Sequence, residues 1–151
     1  MQNFHKISWA LFGEAIIRIG YEYLQTYNKE KGLAATVEHI VSCGLNPRWA
    51  NLPRTRFRHV PLNIYLHVTF REKLQHYHQH IKEIMKKNEI KPVSWAYFLQ
   101  ALLDIGLWQV ESMPTKDATH LILMTVAQFE TEAIAEIKTK LEAAFKDSAS
   151  S

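Results

Sequence analysis

The chain has 151 residues, 47% hydrophobic and 22% charged, with seven Phe, six Tyr and four Trp. That is apolar material for one core and too little length for two comfortable domains, and it excludes disorder of the low-hydrophobicity kind. The net charge of +3 conceals a polarity, because residues 1–92 carry 14 Lys or Arg against 7 Asp or Glu while residues 93–151 carry 4 against 8.

In chain order, Phe4 to Asn28 places Ile7, Leu11, Ala15, Ile19 and Tyr23 at helical spacing, and Trp9, Phe12, Ile16 and Ile17 widen the stripe. Glu14, Arg18 and Glu22 interrupt this stretch, so it is not expected to cross a membrane. Asn28 and Gly32 punctuate its end. Leu33 to Ser42 reads as a second, shorter helix closed by Gly44.

Leu45 to Val60 holds Pro47 and Pro53 and no sustained period, which predicts an ordered loop or extended segment. From Pro61 the pattern divides. Ile64, Leu66, Val68 and Phe70 alternate as in a strand, while Leu62, Leu66, Phe70, Leu74, Tyr77, Ile81 and Ile84 step as in a helix ending at Lys86, Lys87 and Asn88. The longer helical pattern is preferred.

Ser94 to Ile105 is expected to be a helix ended by Gly106, with Trp95, Phe98, Leu99 and Leu102 on one face. The alternation from Trp108 to Glu111, the polar turn residues Pro114 to Asp117, and the apolar run His120 to Val126 then predict a β-hairpin. Helix followed by hairpin resembles the tail of a winged-helix unit. Gln128 to Phe145 closes the chain as an amphipathic helix. The expectation is therefore a mainly helical α+β protein: N-terminal helices, a winged-helix-like helix and β-hairpin unit, and a C-terminal amphipathic helix. It is read as one domain over residues 1–146 with a frayed tail at 147–151.

The single cysteine, Cys43, makes no intrachain disulfide and no zinc knuckle, so a reducing, cytoplasmic setting is expected. Glu72, His76, His80 and Glu83 stack on one helical face, but they match no metal-site motif, and neither a metal nor another cofactor is expected. No nucleophile elbow or phosphate-cradling glycine loop is present, so the chain reads as a non-enzymatic accessory protein.

The sharpest local feature runs from Pro47 to His59, where Arg48, Arg54, Arg56 and Arg58 alternate with Trp49 and Phe57. Guanidinium forks grip phosphates or carboxylates, and aromatic rings stack on bases. In an extended conformation Arg54, Arg56 and Arg58 project to one side. Lys82, Lys86 and Lys87 extend the basic surface. These nine residues are the candidate sites for non-specific binding to nucleic-acid backbone, DNA or RNA. Base reading is not expected, because Ser94 to Gly106 carries no Lys or Arg. The alternative is a protein-protein adaptor or chaperone-like subunit docking a larger, partly acidic partner, with a homodimer also compatible with the aromatic helix faces. Glu130, Glu132 and Glu136 are available to tie down an Arg-rich segment from within.

Overall fold

Ser8 starts the first helix, α1 (Trp9–Lys31), by accepting the Leu11 N–H on its hydroxyl at 3.2 Å, one of the donors that a helix start leaves unpaired. Lys29 and Lys31 sit in its last turn, near the negative end of the helix dipole. Gly32 ends it with φ +90° and donates to Asn28 O, a conformation open to glycine and costly for other residues. The computed structural model describes residues 8–45 and 66–149.

Four more helices follow: α2 (Leu33–Leu45), α3 (Val68–Lys87), α4 (Trp95–Glu111) and α5 (Thr115–Ala149). Ser94 caps α4 as Ser8 caps α1, accepting the Tyr97 N–H at 3.1 Å. The α2 helix passes through Gly44 and does not stop there. At 68–70 the strand reading gives way to the first turn of α3, but the helical pattern expected through Leu66 begins only at Val68, since Leu66 and His67 precede the helix; residues 62–65 lie outside the described residues.

The middle of α1, from Gly13 to Gly20, is buried on every side, as befits a helix surrounded by others. Its closest neighbour is α4, and two glycines permit that closeness. A Cβ on Gly20 would overlap the Leu102 carbonyl oxygen, and a Cβ on Gly106 would overlap that of Ile16. Gly106 therefore acts as a contact point in mid-helix and does not terminate α4. The α3 helix joins the body through longer side chains. Tyr21 meets Phe70 and Tyr77 edge to face, and His78 stacks on Phe98 with its Nε2 2.9 Å from Val93 O.

The expected β-hairpin is absent, and with it the α+β class and the winged-helix likeness: among the described residues every element is a helix. Trp108 to Glu111 is the last turn of α4, closed by Ser112, whose hydroxyl donates to Trp108 O at 2.7 Å. The turn residues collapse to a short break, and Pro114 O accepts the first bond of α5 from Ala118 N–H at 3.0 Å. Four alternating residues fit either period. From Thr115 to Ala149 there is neither Gly nor Pro, and Leu, Met, Ala, Glu and Lys prevail, so nothing stops the helix once it starts. The run His120 to Val126, expected as a buried strand, is instead the part of α5 that reaches the body. Ala118, Thr125 and Phe129 form its buried row.

Candidate functional site

Two features of the described residues have the chemistry of a site: a buried charged cluster beside a cleft, and the outward face of distal α5.

The cluster begins with Glu14 and Arg18, one turn apart on the buried face of α1. Arg18 donates from both terminal nitrogens to Glu132 of α5, at 2.9 and 2.7 Å, a bidentate geometry. Its guanidinium carbon lies over two aromatic rings, 4.4 Å from the Phe70 ring centre and 4.2 Å from that of Phe129. Glu14 is wholly buried. It accepts the His67 main-chain N–H at 2.8 Å, has His67 Nδ1 at 2.7 Å, and faces Arg18 at 3.6 Å. The bonds from Arg18 hold the Glu132 carboxyl below the usual carboxylate range. The cluster thus pins α1, the start of α3 and α5 to one another.

Beside it opens a cleft of about 580 Å³ between α1, the start of α3 and the α4–α5 junction, with Arg18, Lys73, Glu22, Gln109 and Gln128 among its lining. Deeper between α1 and α3, burial, aided by the neighbouring Tyr21, pushes the Tyr77 hydroxyl up to about 12, and the Gln25 amide acts against that rise. His39 lies against Tyr27 at 5.0 Å between ring centres, and burial lowers its pKa. The Tyr77 hydroxyl is therefore not poised to exchange a proton near neutral pH. Among the described residues no three His, Cys, Asp or Glu gather closely enough to hold a metal. His76 and His80 are exposed on α3.

The second feature lies beyond the cluster on α5. Ile134, Ile137, Leu141 and Phe145 follow one another at helical steps and are 67, 59, 53 and 71% exposed. With about 100° per residue, this row sits more than a quarter turn from the buried row of Ala118, Thr125 and Phe129. Continuing the buried row past Glu132 leads to Glu136, Ala143 and Asp147, with no large apolar side chain among them. The helix therefore changes its apolar face partway along. A row left over from the protein's own core would have kept the first face.

Of the residues singled out from sequence, Arg48, Trp49, Arg54, Arg56, Phe57 and Arg58 lie outside the described residues. Lys82 is half-buried on α3, and Lys86 and Lys87 are exposed in its last turn. Glu132, expected to be free for an Arg-rich segment, is taken by Arg18; Glu130 is exposed. Sequence reasoning passed over Arg18 and Glu14 as interruptions of an apolar stretch. Opposite charges four residues apart within such a stretch were the available signal of a buried pair. Phe129, Ala133, Ile137, Leu141 and Ala144 read from sequence as one inner face of the C-terminal helix, and of these Ile137 and Leu141 are more than half exposed. Among the described residues no helix is long and apolar enough to cross a membrane. Comparison with protein-family models, with curated proteins and with solved structures found no match.

Proposed function

We propose that this chain is a non-enzymatic protein-association subunit, an adaptor of the cytoplasm that docks a larger protein through the distal half of α5. The observation that carries the proposal is the row Ile134, Ile137, Leu141 and Phe145, all more than half exposed and on a face different from the one that packs on the body. Contiguous apolar surface rimmed by charge is the usual mark of an interaction site, and steps of three and four residues suit a partner helix or a helical groove. The helices around the Arg18 cluster supply the rigid base from which this face projects.

A pull-down from nuclease-treated lysate tests the reading against binding to nucleic-acid backbone through Arg48, Arg54, Arg56, Arg58 and the α3 lysines. A stoichiometric protein partner is expected for the wild type and for the variant with Ala at positions 54, 56 and 58, and it should be lost in Ile137→Asp/Leu141→Asp. Recovery that disappears with nuclease, falls steeply with salt and follows the arginines would overturn the adaptor reading in favour of nucleic acid. Both substitutions on α5 are at exposed positions, so helix content and melting temperature should barely change.

A further inference from the structure

We infer that the occupant of the α5 face is an amphipathic helix of a different protein whose apolar seam is flanked by carboxylates; this rests on the protein-association reading above. In the seven-residue pattern of paired helices, Ile134 and Leu141 take the first seam position and Ile137 and Ala144 the second. Lys138 and Lys140 then stand on the two flanks of the seam at its centre, both exposed; Phe145 widens the flank of Lys138, and Asp147 follows Lys140 two turns on at the far end of the other.

That placement argues against a second copy of this chain. In an antiparallel pair that sets Ile137 against Leu141, the twofold axis passes beside Thr139. Lys138 then opposes its own copy, and so does Lys140. In a parallel pair in register, the seam position one turn before Ile134 is Glu130, which faces a second Glu130. Like charges so placed act against pairing, a common device for excluding a wrong partner. A helix from another protein meets no such constraint, and acidic residues on its flanks would face both lysines. Glu130, Glu136, Glu142 and Asp147, spread around the same segment, act against an anionic bilayer as the occupant.

The full chain is titrated, by fluorescence anisotropy, into two labelled four-heptad synthetic helical peptides that share one Leu and Ile seam and carry either Glu or Lys at every flanking position. At low salt the Glu peptide should bind at least about fivefold tighter, with the difference shrinking as salt is added. In Lys138→Glu/Lys140→Glu the preference should reverse. Equal affinity for the two peptides, with both lost in Leu141→Asp, overturns the inference and leaves the association reading standing. Failure of both peptides to bind overturns both. A dimer in sedimentation equilibrium that Leu141→Asp abolishes identifies a second copy and overturns the inference, as does binding to phosphatidylserine vesicles that the same variant loses.

Discussion

Gly20→Ala separates two arguments of opposite sign. In a helix interior alanine is favoured over glycine by about 1 kcal/mol, so propensity alone predicts a more stable protein. The structure predicts the reverse. The added Cβ would overlap the Leu102 carbonyl oxygen and lie 3.1 Å from the Gly106 nitrogen, so both obstacles are main chain of the facing helix and neither can rotate away. The two helices must separate by roughly 1 Å at their closest point, which loosens the contacts of fully buried Ile16 and Leu102 nearby. Overpacking of this kind costs about 3 kcal/mol, the upper part of its usual range, because no side chain can yield. Subtracting the propensity gain leaves about 2 kcal/mol of destabilisation, or roughly 6 °C in melting temperature for a chain of this size. Urea and thermal unfolding followed by far-ultraviolet circular dichroism measure it. Gly106→Ala should behave alike, since its Cβ would overlap the Ile16 carbonyl oxygen. The double variant should cost less than the two singles together, because helices already parted make room for a second methyl. A melting temperature unchanged or raised in both single variants would refute the close crossing of α1 and α4.

Two further predictions concern the charged cluster. Arg18→Ala leaves buried Glu14 with only its bonds from His67 and removes the partner of Glu132, and should cost about 3 kcal/mol in urea unfolding; adding Glu14→Gln should recover part of that loss, and a double variant no more stable than Arg18→Ala would refute the pairing. Arg18 holds the folded Glu132 carboxyl below its ordinary pKa of 4.5, so its contribution is present above that value and is lost as pH falls through the folded pKa. Because its side chain is 41% exposed, Glu132→Gln should cost under about 1 kcal/mol at pH 7. The difference from wild type should begin to shrink in unfolding curves taken as pH falls below 4.5 and close below the folded pKa, and one that persists unchanged in acid would refute this linkage.

Helix existence was legible wherever the apolar period ran long and a cap preceded it. Ser94 stands at the start of the expected helix and accepts the Tyr97 N–H, and Gly32 stops α1 with a backbone angle suited to glycine; Ser8, which lay inside the helix expected from Phe4, is instead the cap of α1. Two punctuation marks misled: Gly44 is the penultimate residue of α2, and Gly106 lies inside α4 at its close crossing with α1. A glycine carries one symbol whether it ends a helix by its angle or lets another helix come close, and only the facing chain distinguishes the cases. Gly106 also drew the hairpin after it, since a helix assumed to stop there left Trp108 to Val126 to be explained by short-range alternation. Tertiary context decided between two periods that a few residues could not.

The charged cluster and the α5 face were missed because each depends on which side of a helix meets the body. Within α1, Glu14 and Arg18 looked like breaks in a stripe, yet they share the buried side with Ala15 and Ile19 and satisfy each other, His67 and Glu132 there. Within α5, Phe129, Ile137, Leu141 and Ala144 pass as one broad amphipathic face when read by composition. Phe129 is 1% exposed and Leu141 53%, and the change between them coincides with Glu132, the residue by which Arg18 fastens α5 to α1. Before that point the helix is bound by its own body, with burial of Thr125 and Phe129 as the driving term. Beyond it, the side of the helix turned toward the body carries Glu136, the small Ala143 and Asp147, while the row of large apolar residues has moved to another side. A helix needing only an anchor could have ended after Glu132 or continued with polar residues all round. Four large apolar side chains held in water for the rest of its length oppose solubility, and docking to a partner gives that arrangement a physical reason.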